Sequence, residues 1–351
     1  MHEHYLKAAL ALADSRRGFC APNPTVGAVV VKDNVILATG CHWASGCPHA
    51  EVEALKKIAN QAQGATIYVT LEPCCHFGKT PPCTDLLIRS GIKQVIYGMR
   101  DLNPQVANKS AALLNNAGIE TIYLPLPEIS DFYHSYVFWW QTKRPFVTAK
   151  IALSLDGKIA GINGQRINIT GASAKQFTQQ QRQRSDAILT TAKTIIGDDP
   201  LLNVRLADAT ISKPIYIIDS QLNTPLNAKI WTAAQKITVF HSSNQAEKIK
   251  SLSAKGAHCI PISGQQNGLN LAEILQWIGK EGMHDLWVEA GGRCFAAFVQ
   301  QKLLQRAYIY VAPKWLGATA QTAFSEKILF EDAKKISWKN LAEDALCEMT
   351  W

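Results

Sequence analysis

Long apolar runs are missing from this 351-residue chain. A membrane-spanning helix needs about 20 apolar residues, whereas an apolar run such as 26–31 holds six. The N-terminus, Met1-His2-Glu3-His4, lacks the basic stretch and apolar segment of a secretory signal. No membrane partner is expected, and the cytoplasm is the expected location. Charge is sparse as well, at 18% of residues. Lys and Arg outnumber Asp and Glu by 36 to 28, giving +8, but the excess is scattered and forms no basic arm. Such a balance suits anionic small molecules as well as nucleic acid, and no nucleic-acid partner is expected. Internal repeats and low-complexity segments are absent. So is G-x-G-x-x-G, which disfavours a Rossmann dinucleotide site.

What is present is enough for full cores. Hydrophobic residues make up 47% of the chain, and its length fits about two domains at roughly 150 residues each. Nine cysteines, an odd number without a secretory signal, favour metal binding or plain burial over a disulfide framework.

The first part alternates strands and helices. Residues 5–13 carry apolar side chains at helical spacing. Residues 26–31 read as a strand, Lys32-Asp33-Asn34 as a turn, and 35–39 as the returning arm of a hairpin. A helix over 50–60, a strand over 65–70, a helix over 85–90 and a strand over 95–98 follow. A helix over 105–117 and a strand over 120–124 close the series. This rhythm predicts an α/β layered fold. Pro125-Leu126-Pro127 interrupts it, a helix through Trp139-Trp140 follows, and the boundary falls near 144, dividing the chain into 1–144 and 145–351. A second α/β series has strands at 146–153, 186–190, 215–219, 237–241, 286–289 and 307–311, with helices that include 173–184 and 271–278.

The strongest chemical signal is His49-Ala50-Glu51 followed by Pro73-Cys74 and Cys83. One imidazole and two thiolates suit zinc, and three protein ligands leave a fourth position open, as catalytic sites do. Zinc lowers the pKa of a bound water to about 7. Glu51, two residues after His49 at a helix start, can lie beside the metal without ligating it and move protons between water and a departing amine. The H-x-E…P-C-x-x-C signature of zinc nucleobase deaminases has this logic. Here eight residues separate Cys74 from Cys83 in place of two. A closed structural site would need a fourth ligand, which Cys75 or His76 could supply. The remaining cysteines, Cys20, Cys41, Cys47, Cys259, Cys294 and Cys347, read as ordinary thiols.

These residues resemble a known family. Pro22-Asn23-Pro24-Thr25-Val26-Gly27, His42, His49-Ala50-Glu51 and the stretch from Thr70-Leu71-Glu72-Pro73-Cys74-Cys75-His76 to Lys79-Thr80-Pro81-Pro82-Cys83 are similar to the bifunctional riboflavin-biosynthesis deaminase–reductases. Asp101-Leu102-Asn103-Pro104-Gln105-Val106 extends the resemblance. It implies a cytidine-deaminase-like three-layer α/β domain. The implied reaction is zinc-dependent deamination of 2,5-diamino-6-ribosylamino-4(3H)-pyrimidinone 5′-phosphate. His49, Cys74 and Cys83 would be the metal ligands, Glu51 the catalytic acid–base, and Asn23, His42, His76 and Lys79 substrate contacts.

The second half continues the resemblance. Trp287-Val288-Glu289-Ala290-Gly291-Gly292-Arg293 runs from an apolar strand through Gly-Gly into a helix. Open backbone and free N–H groups at such a helix start can bind a pyrophosphate, although a tight turn reads the same way. Arg144-Pro145-Phe146-Val147, Ser154-Leu155-Asp156-Gly157-Lys158, Asp198-Asp199-Pro200-Leu201-Leu202-Asn203-Val204-Arg205 and Ala312-Pro313-Lys314-Trp315-Leu316-Gly317 are similar to the reductase half of the same family. The resemblance implies a dihydrofolate-reductase-like α/β fold and hydride transfer from NADPH that opens ribosyl to ribityl. It places Ala152, Asn168, Thr194, Asp198, Ser220, Gly291, Gly292, Arg293, Cys294, Phe295, Ala296 and Ala297 on the cofactor side. Arg166, Arg182, Leu202, Arg205 and Glu289 fall on the substrate side. Lys150 and Glu289 are the candidate proton donors, through water, and Arg182 and Arg205 the candidate phosphate grips. The family commonly carries Ser and Trp where this chain has Arg166 and Asn168, and an Asn cannot stack on a nicotinamide. A homo-oligomer is implied by the same resemblance. Two other readings stay open on the sequence: a deaminase of free bases or RNA with an unrelated second domain, and a zinc-stabilised scaffold with a closed four-ligand site.

Overall fold

The computed structural model describes residues 1–351 except 78–80, 105, 108, 267, 325–326, 328–329 and 331, and the side chains of 59 and 60. Two compact units divide the chain, Met1–Lys143 and Arg144–Trp351.

The helices of the first unit are α1 (His2–Asp14), α2 (Ala50–Lys56), α3 (Cys83–Arg89), α4 (Lys109–Asn116), α5 (Pro127–Phe132) and α6 (His134–Thr142). Its strands are β1 (Gly27–Lys32), β2 (Val35–Cys41), β3 (Thr66–Val69), β4 (Gln94–Tyr97) and β5 (Glu120–Tyr123), in the sheet order β2-β1-β3-β4-β5. β1 is antiparallel to both of its neighbours, and β3, β4 and β5 run parallel. The β1–β2 turn is made by Asp33 and Asn34, both left-handed at φ 51° and 63°. Asp and Asn tolerate that region, as a two-residue hairpin demands.

Strand alternation sorts the core onto two faces. Ala28 and Val30 pack with Ala50, Ala54, Leu55 and Leu87, beneath α2 and α3. Val29 and Val31 pack with Tyr5, Leu6 and Ile129, beneath α1 and α5. Gly40 sits directly under α2: a Cβ built there would lie 2.2 Å from the Ala50 carbonyl oxygen. Only glycine lets the helix approach this close to the sheet.

Two boundaries differ from the sequence reading. The helix expected over 50–60 ends at Lys56, and a 3-10 turn spans Ala59–Ala62. The helix expected over 105–117 forms over Lys109–Asn116, with Gln105 outside the described residues.

In the second unit the helices among the described residues are α7 (Ala172–Arg184), α8 (Ala192–Asp198), α9 (Ile230–Ala233), α10 (Ala246–Ala254), α11 (Leu271–Lys280) and α12 (Gly292–Gln300). Its strands begin with β6 (Phe146–Ser154), β7 (Lys158–Ile162), β8 (Ala187–Thr191), β9 (Val204–Arg205), β10 (Thr210–Ile211), β11 (Pro214–Ile218), β12 (Lys236–His241) and β13 (Ala257–Pro261). They continue with β14 (Gly264–Gln265), β15 (Gly268–Leu269), β16 (Asp285–Glu289), β17 (Arg306–Ala312), β18 (Ala320–Thr322), β19 (Lys335–Leu341) and β20 (Asp344–Thr350). Nine strands form one sheet in the order β13-β12-β11-β8-β16-β6-β17-β20-β19. From β13 to β17 every pair is parallel; β20 is antiparallel to β17 and to β19. Leu189 and Val288 pack with Ile274, Ile278 and Phe295 on one face. Ile188 and Trp287 pack with Ile195, Ile230 and Leu252 on the other. Helices thus cover both faces, as a parallel sheet requires, and the C-terminal ends of the parallel strands share one edge, where ligands bind in such sheets. Asp156-Gly157 lies in a turn after β6, and β7 beyond it pairs with β18.

Candidate functional site

In the first unit, α2 and α3 bring the sequence-predicted ligands together at their N-terminal ends. His49 is the N-cap of α2, Cys83 opens α3, and Cys74 follows β3. His49 Nδ1 lies 3.2 Å from Cys83 Sγ and 3.4 Å from Cys74 Sγ. All three ligand atoms lie within 4.8 Å of one another. Tetrahedral zinc with ordinary Zn–N and Zn–S bonds separates such ligands by about 3.6 Å, so the residues fit the ion after a small opening. Neither Cys75 nor His76 joins the cluster found among the described residues, which leaves the three-ligand arrangement. The Cys83 N–H donates to Cys74 Sγ at 3.3 Å. Ser110 Oγ donates to the Pro73 carbonyl at 2.5 Å, fixing the chain just before Cys74.

The electrostatics are those of a thiolate–imidazolium pair. Hydrogen bonding to Cys83 and to His49 outweighs burial and holds the Cys74 thiol at about 4. Hydrogen bonding to Cys74 raises His49 to about 9. Glu51, only 3% exposed, has its pKa pushed up by burial. A carboxyl poised upward in this way is suited to holding a proton and releasing it.

A cavity of about 280 Å³ opens over this cluster. Asn23, His42, Glu51 and His76, all named in the sequence analysis, line it. His42 Nδ1 is bonded to the Pro48 carbonyl at 3.0 Å, so that nitrogen carries the hydrogen, and Nε2 accepts from Asn23 Nδ2 at 3.1 Å. Burial lowers the His42 pKa, in keeping with a neutral ring. The ring meets His49 edge-on at 5.4 Å between centroids. Lys79 lies outside the described residues. Its lining also includes Asp101, Tyr136, Trp139 and Trp140, to which sequence reasoning assigned no role. Tyr136 Oη donates to Asp101 Oδ1 at 2.9 Å. Asp101 sat in a stretch already singled out by its resemblance; α6 carried no signal beyond its apolar pattern.

In the second unit the predicted residues gather along the C-terminal edge of the sheet. Lys150 and Ala152 lie on β6, Glu289 ends β16, and Thr194 and Asp198 lie on α8. Ser220 follows β11, and Gly291 is the N-cap of α12, which carries Gly292 through Ala297. Glu289 is the hub. Arg182 Nε and Nη2 donate to its two oxygens at 2.5 and 3.0 Å, and Trp287 Nε1 donates at 2.8 Å. Arg182 Nη1 donates to the Asn203 carbonyl at 2.9 Å. Arg182 therefore sits buried and engaged, not on the solvated face that a run of glutamines suggests. Burial would raise the Glu289 pKa, but Arg182 and Lys150 hold it at about 2. Burial lowers that of Lys150, against the pull of Glu289. Arg205 Nη1 donates to Asn203 Oδ1 at 2.9 Å, Leu202 is buried with φ 50°, and Arg166 Nη1 donates to the Asp198 carbonyl at 3.1 Å. The Asn168 carbonyl accepts from Lys314 Nζ.

The start of α12 fits a dinucleotide pyrophosphate. Gly291 offers no side-chain cap, and a Cβ built on it would meet nothing within 4 Å. Gly292, by contrast, packs so closely that a Cβ would strike the Ala323 carbonyl. Open backbone N–H groups at a helix start attract anions.

Comparison with known proteins gives matches over both units. The cytidine and deoxycytidylate deaminase zinc-binding region matches residues 1–99, and the RibD C-terminal domain matches residues 145–347. The riboflavin biosynthesis protein RibD of Aquifex aeolicus is 38% identical over 347 residues, 97% of this chain and 96% of that protein. RibD of Escherichia coli is 36% identical over 339 residues, 91% of this chain and 89% of that protein. Among solved structures, Acinetobacter baumannii RibD superimposes with a TM-score of 0.85 at 33% identity, covering 99% of this chain and 98% of the other. A Thermotoga maritima structure described as a diaminohydroxyphosphoribosylaminopyrimidine deaminase/5-amino-6-(5-phosphoribosylamino)uracil reductase has the same TM-score, 0.85, and coverage, at 31% identity.

Proposed function

Because the chain belongs to the RibD family of riboflavin-biosynthesis proteins, and is a bifunctional zinc deaminase and NADPH-dependent reductase, we propose that residues 1–144 carry the deamination and residues 145–351 the reduction. The first unit is cytidine-deaminase-like and the second dihydrofolate-reductase-like. The reactions are those in the Thermotoga relative's description. The first removes the 2-amino group of 2,5-diamino-6-ribosylamino-4(3H)-pyrimidinone 5′-phosphate as ammonia. The second reduces the ribosyl group to ribityl, giving 5-amino-6-ribitylamino-uracil 5′-phosphate.

The observation that carries the reading is the convergence of His49, Cys74 and Cys83 beside the buried Glu51. Zinc held there supplies a Lewis acid that makes water a nucleophile near neutral pH. Glu51 takes the proton from the attacking water, holds it in a site where burial favours the neutral acid, and gives it to the departing amine. Asn23 and the neutral His42 form a hydrogen-bonded pair on the cavity wall, placed to orient the pyrimidine. His76 lines the same cavity, and Lys79 is a substrate contact by resemblance, of a charge suited to the phosphate.

In the second unit NADPH supplies the hydride, with its pyrophosphate at Gly291 and the α12 start. Lys150 gives the proton that balances the hydride at the ribosyl group, because Glu289 is held too acidic to do so. Arg182 orients Glu289, and Arg205 is the arginine left to face the phosphate. The cytoplasm and a homo-oligomer belong to the same reading. Among the described residues no helix is long and apolar enough to cross a membrane.

The test is a one-pot assay of zinc-loaded protein with the diaminopyrimidine ribotide and NADPH. Ammonia release followed by equal NADPH oxidation is the expected result. Ammonia without NADPH oxidation would overturn the second half of the reading, and neither would overturn the substrate.

A further inference from the structure

Trp315 is 75% exposed on the turn that follows β17. Single exposed aromatics are common on protein surfaces, but this one stands on a fastened mount. The Lys314 carbonyl accepts the Leu155 N–H at 2.8 Å. Asp156 accepts the N–H groups of Leu316 and Gly317 at 3.1 and 2.8 Å, and Ser154 Oγ donates to Asp156 at 2.6 Å. The Lys314 side chain reaches the Asn168 carbonyl. The backbone on both sides of Trp315 is thus fixed, next in sequence to a residue that grips position 168.

Sheet order indicates what would meet it. β6 lies between β16 and β17, all three are parallel, and Ala312 pairs with Ser154 at their common C-terminal edge. A pyrophosphate at the start of α12 follows β16. Thr194 and Ser220 lie to one side, after β8 and β11; Lys150 and Trp315 lie to the other, on β6 and after β17. A dinucleotide anchored at its centre extends both ways, and the half that turns toward the Lys150 strand must carry the hydride.

We propose that Trp315 is the aromatic wall against which the nicotinamide ring of NADPH stacks, a role for which the Asn168 side chain has no π-face. The proposal rests on the reading of the second unit as an NADPH reductase.

Full-length wild type, Trp315→Leu and the double variant Trp315→Leu/Asn168→Trp are titrated with NADPH and with 2′-phospho-ADP-ribose, which lacks the nicotinamide. Binding is read by calorimetry and by tryptophan-to-nicotinamide energy transfer, with circular dichroism and gel filtration as controls. Trp315→Leu should raise the Kd for NADPH roughly five- to tenfold, remove most of the energy transfer and leave the fragment's Kd unchanged. Asn168→Trp should recover part of both losses. A folded Trp315→Leu protein with unchanged Kd and energy transfer would overturn the proposal, and equal weakening of the fragment would overturn the nicotinamide assignment. Loss of oligomerisation with cofactor affinity intact would assign Trp315 to a contact between copies instead. If wild type itself bound no NADPH, the reductase reading would fall, and this proposal with it.

Discussion

Lys150 and Glu289 are register partners on the adjacent parallel strands β6 and β16. Arg182 makes two hydrogen bonds to Glu289, and its like charge disfavours the Lys150 ammonium. The carboxylate is therefore compensated while the ammonium, partly buried, is pushed below the ordinary lysine range. Both groups thus titrate below their ordinary ranges, Glu289 because two cations compensate it and Lys150 because burial outweighs the pull of Glu289.

Lys150 must be protonated to serve as the acid. The kcat for reduction should fall as pH rises through an apparent pKa below the ordinary 10.5. Lys150→Met should lower it about 10²- to 10⁴-fold and abolish that limb of the profile. Ammonia release by the same variant should be unchanged. Stopped-flow NADPH absorbance across pH reads the first effect and an ammonia assay the second.

Removing Arg182 leaves Glu289 as an uncompensated buried charge. Arg182→Met should destabilise the second unit by about 3–5 kcal/mol at pH 7. The depressed carboxylate contributes its stability above the ordinary value of 4.5 and loses it as pH falls toward about 2. Wild type should therefore lose stability through that window, and the variant's acid transition should begin at higher pH. Urea denaturation from pH 7 down to pH 2 reads both, and Arg182→Met/Glu289→Leu should regain most of the loss.

Glu51→Gln keeps the shape of the carboxyl group but cannot shuttle a proton. Ammonia release should drop by at least about 10²-fold, with zinc content and NADPH oxidation of the deaminated substrate unchanged. A variant that retained ammonia release would return the site to a structural role. Metal analysis alongside the kinetics separates loss of proton transfer from loss of zinc.

Gly40→Ala places a methyl group 2.2 Å from the Ala50 carbonyl and must push α2 off the sheet. Overpacking of this kind costs about 1–3 kcal/mol. Because His49 and Glu51 ride on that helix, zinc affinity and deamination should both fall, about tenfold or more. Reduction should hold at its wild-type rate.

The metal cluster was legible because its chemistry is local in sequence: His49 and Glu51 are two residues apart, and Cys74 and Cys83 bound one loop. Most long elements were legible from periodicity, β1 and its Asp33-Asn34 turn among them. Arg182 was not, since its partner Glu289 lies 107 residues away and only the strand order brings the two together. Nor was the C-terminal hairpin of β19 and β20, because β19 is exposed along nearly its whole length and polar residues interleave Ile336 and Trp338. The helix over 50–60 was overextended, as apolar spacing alone cannot register the 3-10 turn at Ala59–Ala62. The cavity wall of Tyr136, Trp139 and Trp140 read only as an apolar helix, since nothing in the residues themselves says which side of α6 a cavity will occupy.

Each of the four buried clusters draws its side chains from one unit alone. Damage is confined accordingly, and defective alleles should sort into two complementation groups divided near residue 143. A chain carrying Glu51→Gln and another carrying Lys150→Met, produced in one cell that has lost its own copy, would then restore growth without added riboflavin, the first chain accepting by diffusion what the second releases.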